Sequence, residues 1–525
     1  MSMNVIKKNY YIRGMRIFLI FFLPSLLVAD FIIPSEDPVY SFFETVQSLK
    51  YSEDITGFYP LYHDNVIEAL ELILSSDISV IYKKIAQYNL KRLSLKDKNG
   101  FESAVYPIQK IPRSALSIFS NKLLESKLLE YEKNEISVFF SGIIGIDYDL
   151  YKSDTEDKHR LLKYYGLEFG GNITNNIGLY SLFRKGHYTG DPYFTRKDSV
   201  QLIADNWENP EKLEIQTECF IKNNIIDAAI GYGNLQIGNS ITNSIIFTKV
   251  ISSLPYIKLS KQLGNFFYVS LYSQLVPDSL GNEDEYSTKS LALQMISYST
   301  NRIFIAIGEN SLYDDRNFEI SYSTPLVMYK LVDFSNQSRD NVNAFIIINY
   351  SPFDGFMMYN NLFIDDVKVS RLTTEKYLSG FAEQLGLSYS FKNIPLNVSF
   401  EGTAVGPRTY YHRRQLTYSH RDQLLGFQDG SNLLNLAFRV QYLMPGLECT
   451  VLYENMQQGS ISNDPFAKIQ TNEKFLAGKI SRTQRIDASI NYNITSHLNI
   501  HLQYVYENKD NRVKNFLYSG IELRY

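Results

Sequence analysis

The stretch RIDASINYNITSHLNIHLQYVYENKDNRVKNFLYSGIELRY, residues 485–525, decides the fold. In it Ile486, Ala488, Ile490, Tyr492 and Ile494 alternate with Arg485, Asp487, Ser489, Asn491 and Asn493. A strand points successive side chains to opposite faces, so one face here suits lipid and the other suits water. The pattern repeats with Leu498, Ile500, Leu502, Tyr504 and Tyr506 against His497, Asn499, His501 and Gln503. A third run sets Leu517, Ser519, Ile521, Leu523 and Tyr525 against Tyr518, Gly520, Glu522 and Arg524. The chain ends on an aromatic residue in the apolar phase, as outer-membrane barrels do.

Working backward, period two persists to about Ile136, and the connections alternate in length. Those near 495–497, 443–446 and 392–395 are short, whereas those near 507–515, 455–484, 405–431 and 366–379 are long. A soluble sandwich has no reason for this alternation; a membrane barrel has short periplasmic turns and longer outer loops. Between 300 and 340 the strand parity fails, which predicts an irregularity there. The fold expected is mainly β: a large antiparallel transmembrane β-barrel over 136–525, of 16 to 20 strands at about 20 residues per strand and connection, with 18 preferred. A barrel so wide holds a water-filled lumen unless loops or another domain fill it.

The opposite end of the chain fits export. Lys7, Lys8, Arg13 and Arg16 precede an apolar run from Ile17 to Val28 that ends at Ala29, the layout of a signal peptide over residues 1–29. An uncleaved anchor needs about 20 apolar residues, more than this run supplies before Asp30. Met15 offers a second possible start. Loss of the leader takes the formal net charge from −4 to about −8, and nothing indicates a nucleic-acid partner. The 40 Tyr and 33 Phe against the single Trp207 suit the aromatic girdles of a barrel. Cys219 and Cys449 fall in the apolar phase of separate strands, favouring isolated thiols over a disulfide or a metal site.

Residues 30–135 carry helical signals and predict a small α-helical domain ahead of the barrel, on the periplasmic side. Pro38 opens VYSFFETVQSL; Asn65 with Glu68 suggests a capping box; Asp77 precedes Ile78, Ile81 and Ile85; and 113–132 has helical character.

Three stretches together resemble the Wzi family of outer-membrane capsule-assembly proteins. In AIGYGNLQIGNSITNSIIFTKVISSLPYIKL (229–259), Gly231, Gly233, Gly238, Ser252, Ser253 and Pro255 follow the family pattern. IAIGENSLYDDRNFEISYSTPLVMYK (305–330) and the following RDNVNAF and LFIDDV supply Glu309, Tyr313, Arg316, Pro325, Asp340, Asn341, Asp365 and Asp366 in order. TYYHRRQLTYSHRDQLLGFQDG (409–430) resembles a tyrosine and histidine segment leading to a Leu-Gly turn. The first stretch lacks the family's Gly-Arg pair and aromatic-Gly turn, so ligand contacts do not carry over. The resemblance implies an 18-stranded barrel closed by internal loops and the helical domain, which helps hold capsular polysaccharide at the cell surface.

The residues themselves offer little to an enzyme reading. His497 and His501, with Ser489 and Asn499 nearby, invite comparison with a lipid-facing hydrolase dyad, but they point into the lumen. Asp365-Asp366, Asp314-Asp315 and Glu283-Asp284-Glu285 lack the ligand interval of a Ca²⁺ loop. Glu309, Arg316 and Asp340 are expected to form a structural ionic network facing the lumen. The segment from Arg408 to Arg421 is distinctive. Arg408, Tyr410, Tyr411, His412, Arg413, Arg414, Tyr418, His420 and Arg421 run without an acid until Asp422, giving a positive aromatic patch on an expected outer loop. Arg forks suit sugar carboxylates and Tyr rings offer flat faces; equally, such a loop can close the barrel by pairing with lumen acids.

The function expected is a non-enzymatic outer-membrane barrel that anchors or organises surface polysaccharide without a cofactor; the alternative is a porin-like channel for small solutes. Expected partners are the polysaccharide, membrane lipid with lipopolysaccharide, and the barrel-assembly machinery, for a monomer.

Overall fold

The computed structural model describes residues 30–34, 37–49, 58–93, 129–133, 136–174, 176–191, 202–203, 211–249, 252–277, 288–338, 340–365, 380–407, 409–412, 416–460, 475–494 and 498–524. The expected signal peptide and the expected helix over 113–128 lie outside these residues.

Eighteen strands close into one antiparallel barrel. They are β1 (Ile136–Ser153), β2 (Asp157–Thr174), β3 (Ile177–Gly190), β4 (Glu211–Ile221), β5 (Asp227–Gly233) and β6 (Leu254–Leu263). Next come β7 (Phe266–Leu275), β8 (Lys289–Ser299), β9 (Ile303–Asp314), β10 (Asn341–Tyr350), β11 (Phe356–Asp365) and β12 (Phe381–Ser390). The last six are β13 (Leu396–Val405), β14 (Leu433–Met444), β15 (Leu447–Gly459), β16 (Ile480–Asn493), β17 (Leu498–Lys509) and β18 (Arg512–Arg524). Closure is made by β18 on β1, with Ile521 opposite Ile146 and Tyr518 opposite Asp149. Each of these eighteen strands pairs on both sides, so the wall itself has no open edge.

The alternation read from the C-terminus holds. Ile486, Ile490, Tyr492, Leu502, Tyr504 and Ile521 are exposed on the outer wall. On the lumen side Gln503 donates to Asp487, at 2.8 and 2.9 Å, and Arg485 bridges Glu454 and Glu507, at 3.3 and 3.1 Å. Cys219 and Cys449 are free thiols on separate strands. Short turns gather at one end of the barrel and most long connections at the other.

Two boundaries differ from expectation. Residues 507–515 hold no long loop: Lys509 pairs with Arg512 across Asp510 and Asn511, whose φ values are 50° and 67°. That is the double left-handed conformation of a tight hairpin turn, which Asp and Asn tolerate. Residues 129–133 are not helical; they pair with the start of β1, Leu129 opposite Phe140 and Lys133 opposite Ile136.

Ahead of the barrel lie α1 (Val39–Gln47), α2 (His63–Ser75) and α3 (Val80–Leu93). Helix α2 begins before Asn65, with Tyr62 at its N-cap position and no side-chain cap, so the expected capping box is not formed. In its place the Asp30 carboxylate accepts the Asp64 N–H at 3.0 Å, satisfying a first-turn donor from outside the helix. Val39, Phe42, Phe43, Val46, Val66, Leu70, Ile73, Tyr82 and Ile85 form the core of this domain, and Leu443 of β14 joins it. The domain is bound to the short-turn end of the barrel. The Tyr82 hydroxyl donates to the Phe391 and Ile394 carbonyls at 2.6 and 3.0 Å, the Gly355 N–H donates to the Ser48 carbonyl at 2.7 Å, and Glu44 meets Arg439 at 3.0 Å.

The largest apolar core is inside the barrel. Phe58, Leu235, Ile237, Ile245, Ile246 and Phe247 pack with Tyr410, Leu416, Tyr418, Leu425 and Phe427 against inward side chains of β6 to β14. Thus the described residues of 234–249 and of 409–412 and 416–432 fold into the lumen and do not project from it. Phe58-Tyr59 pairs with Gln236-Ile237, which ties the helical domain to the first of these segments.

The parity failure at 300–340 has a structural cause. Residues 315–340, with the short helices α4 (Ile320–Ser323) and α5 (Tyr329–Asn336), lie against the outside of the wall. Tyr322, Tyr329 and Val332 pack on Ala292 of β8, Tyr313 of β9 and Val342 of β10. Positions that face lipid elsewhere face protein here, so they can be polar.

Candidate functional site

The segment 409–427 hangs from β13 and returns to β14, whose ends are joined by the pairing of Val405 with Leu433. Tyr410 and Tyr418 are its pillars. Both side chains are fully buried, their rings stack 6.0 Å apart at 21°, and each lies 5.3 Å from Phe363. Their hydroxyls donate to the Ile245 and Ile246 carbonyls, both at 2.8 Å. One lumen segment is therefore pinned to the other by two buried hydrogen bonds. The Tyr410 N–H donates to Asp365 at 2.7 Å, with Tyr410 at φ 77°, an uncommon conformation for a residue with a side chain. Gly426 is required beside it, because a Cβ there would stand 2.6 Å from the Tyr410 ring.

From these pillars a small hairpin projects. Ser419 pairs with Leu424 and His420 with Gln423, while Arg421 and Asp422 at the tip take φ of 51° and 60°. His420 is buried, and its Nδ1 accepts the Val276 N–H at 3.1 Å, which requires that nitrogen to be unprotonated. Burial, then the charges of Arg421 and Lys289, push the imidazole pKa down to about 4, against a single raising contribution from the Ser253 backbone. The ammonium of Lys289, itself buried, donates to the Ser419 hydroxyl at 2.9 Å. Gln423 accepts from the Ser252 N–H and hydroxyl at 2.7 and 3.0 Å.

This arrangement corrects the expected outward patch. Tyr410, Tyr418 and His420 face the packed lumen and cannot offer their rings to a glycan outside. Tyr411 and His412 are half-buried, Arg421 is exposed at the hairpin tip, and Arg408, Arg413 and Arg414 lie outside the described residues. The tyrosines hold the segment, and Arg421 alone of its arginines is among the described residues, exposed at the hairpin tip. The contribution of residues 234–253 to the site was missed: sequence marked their glycines and serines but gave no sign that Ile245 and Ile246 would present carbonyls to Tyr410 and Tyr418.

The expected ionic network is formed in part and on the other face of the wall. Arg316 pairs with Asp340 and stands 3.5 Å from Glu319, and the Tyr322 hydroxyl donates to Asp340 at 2.6 Å. Glu309 is separate: its carboxylate accepts the Tyr329 N–H at 2.6 Å. All three belong to the seam between the wall and residues 315–340, outside the barrel.

The lumen wall away from these segments is strongly ionic. Arg184 reaches Glu214 and Glu522 at 3.1 and 3.4 Å, Arg524 reaches Glu522 and Glu168 at 2.7 and 3.4 Å, and Lys258 meets Glu218 at 3.0 Å. His501 has Asp147 at 3.6 Å as its ionic neighbour, and His497 lies outside the described residues. Among the described residues, Asp30, His63 and Asp64 bring one ligand atom each within 4.8 Å of one another. Asp30 there already accepts the N–H groups of Phe31 and Asp64, so its geometry is that of a helix anchor.

Neither a family model nor a curated protein sequence matches the chain. Solved structures do. Escherichia coli Wzi, an outer-membrane protein involved in group 1 capsule assembly and a carbohydrate-binding β-barrel, matches over 94% of this chain and 99% of its own, at TM-score 0.61 and 10% identity. Acinetobacter baumannii OccAB2 covers 74% of this chain and 98% of its own, at TM-score 0.45 and 11% identity. Pseudomonas aeruginosa OprD covers 74% and 95%, at TM-score 0.42 and 10% identity. The resemblance to Wzi read from the sequence is thus met at the level of the fold, helical domain included.

Proposed function

We propose that this chain is a non-enzymatic outer-membrane barrel that holds an acidic surface polysaccharide at its long-loop end. The observation that carries the reading is the filling of the lumen by residues 234–249, 409–412 and 416–432, cemented by Tyr410 and Tyr418. A barrel whose inner loops are built as a core, with the largest apolar cluster of the molecule inside it, is shaped to present a surface. The described tip of that plug is Arg421, and Arg408, Arg413 and Arg414 belong to the same segment. Arg forks grip carboxylates through paired charge-assisted hydrogen bonds, weakly for each exposed contact and less so in salt. In this reading the long-loop end faces outward, the helical domain sits in the periplasm at the opposite mouth, and the barrel works as a monomer beside lipopolysaccharide after delivery by the barrel-assembly machinery.

The test is replacement of Arg413 and Arg414 by Ala. Cells should release surface polysaccharide while the barrel assembles normally, and Lys at both positions should restore retention only partly because the planar fork is lost. Retention unchanged at every ionic strength would remove this segment from glycan binding.

One observation favours the channel reading. The inward polar residues Asp487, Ser489, Asn491 and Gln503 on β16 and β17 are half-exposed, unlike the fully buried Asn361, Gln384, Glu401 and Thr403 on β11 to β13. Steady single-channel current in planar bilayers would support it.

A further inference from the structure

We infer that residues 315–340 form a membrane-immersed shoulder on the outside of the barrel, covered by the acyl chains of the leaflet at the long-loop end. The inference rests on the barrel spanning a membrane and starts from a mismatch in the wall. Strand β9 has 12 residues, or about 36 Å of strand at 3.3 Å each, and a tilt near 40° gives about 28 Å of height. A barrel needs an apolar band of about 25 Å, so nearly all of this strand must stand at membrane depth. Only its half nearer the short turns is dressed for lipid: Ile303, Ile305 and Ile307 are exposed there, with Ile296 and Tyr298 of β8 and Ile348 of β10 beside them.

The other half is not. Toward the long-loop end the outward positions are Glu309, Ser311 and Tyr313 on β9, opposite Gln294, Ala292 and Ser290 on β8. Bare in hydrocarbon, the carboxylate and the amide would each be an unmet polar group costing several kcal/mol. Residues 315–340 meet them. The Leu326 N–H donates to the Gln294 side-chain Oε1 at 3.0 Å, the Gln294 side-chain NH₂ donates to the Val327 backbone carbonyl at 2.5 Å, and the Tyr329 N–H donates to the Glu309 carboxylate.

With its inner side occupied by these bonds, the segment turns an apolar side outward. Phe318, Ile320, Leu326, Met328, Leu331 and Phe334 are 51%, 74%, 67%, 56%, 61% and 71% exposed. Leu331 and Phe334, three apart on α5, share one face of that helix. A patch of six such residues standing in water is unusual for a folded chain. Here it continues the lipid-facing belt of β8 to β10 upward and restores its height. The occupant is thereby fixed by continuity: the patch lies in the same surface that acyl chains already cover one turn lower on the wall.

Tryptophan fluorescence tests this directly. With Trp207→Phe as background, a single Trp is placed by Leu331→Trp, by Phe334→Trp, or by Ile307→Trp as the bare-wall reference. Each full-length protein is checked for folding by its shifted migration on an unheated gel, then reconstituted in phosphatidylcholine vesicles with or without brominated acyl chains. The expected result is quenching at 331 and 334 as strong as at 307, with little effect of aqueous acrylamide. Quenching at 307 alone, with acrylamide reaching 331 and 334, places the shoulder in water and overturns the inference. Protection of 331 and 334 from both quenchers means a second copy or another protein covers the face, which also overturns it. Loss of lipid quenching at all three positions removes the membrane-spanning reading itself, and the inference with it.

Discussion

His420 shows how a residue read as part of a basic patch works when packed. Its Nδ1 must stay unprotonated to accept the Val276 N–H, and burial with Arg421 and Lys289 lowers its pKa to about 4 from an ordinary value near 6.5. Between those two values an opened segment takes up a proton that the packed segment refuses. Packing of the hairpin is therefore strongest above about pH 6.5, weakens as the pH falls toward 4, and loses nothing further below that. Hydrogen-exchange protection over residues 416–427, corrected for the intrinsic rate at each pH, should fall as the pH drops through this window in the folded protein. His420→Asn keeps an acceptor without a titrating group and should flatten the dependence; an unchanged pH profile in that variant would locate the titration elsewhere. The sequence disclosed the chemistry of this segment and not its direction, because Tyr and His serve equally in a wet surface and in a core whose carbonyls need donors. Only the partners Ile245, Ile246 and Val276, distant along the chain, settle which use is made.

At the scale of elements, the wall was legible wherever lipid faces one side and water the other. Strands β16 to β18 keep strict alternation for that reason. Legibility failed where the solvent on either face changes. Toward their shared turn β17 and β18 carry Asn508 and Asn515 in the outward phase and the buried Val505 and Phe516 in the inward one, so the alternation lapses and imitates a long loop, although only Asp510 and Asn511 turn the chain. Strands β8 and β9 lose theirs because protein covers the outer face. Depth should be measurable in the same terms. Ile486 points outward midway along β16, whereas Tyr492 points outward near its end. Ile486→Arg should destabilise the folded barrel by about 2–4 kcal/mol and Tyr492→Arg by about 0–1 kcal/mol, as the cost of a cation falls from midplane to interface. Denaturant titration of both variants in vesicles checks the ratio, and equal costs would contradict the placement of this strand.

For the whole molecule the question is what the plug does. An eighteen-stranded wall encloses enough width for an aqueous channel, so whatever closes this one must come from the chain itself. The wall does not depend on the plug for closure: β13 and β14 pair directly from Leu396 with Tyr442 to Val405 with Leu433, and β18 seals onto β1. The plug, by contrast, depends on the wall, through Asp365 to the Tyr410 N–H, Asn341 to the Leu416 carbonyl, and Lys289 to Ser419. Replacing residues 409–429 by a short Gly-Ser link should then leave a barrel that still resists detergent before boiling and migrates anomalously on gels. In planar bilayers the intact protein should pass no steady current, and the shortened one should conduct, because Ile245, Ile246 and Phe247 lose the pillars that hold them across the lumen. Steady conductance already present in the intact protein, and little altered by the deletion, would mean that the open side along β16 and β17 is the working path. Arg421, exposed at the hairpin tip, would then stand beside a pore and bias its solutes by charge.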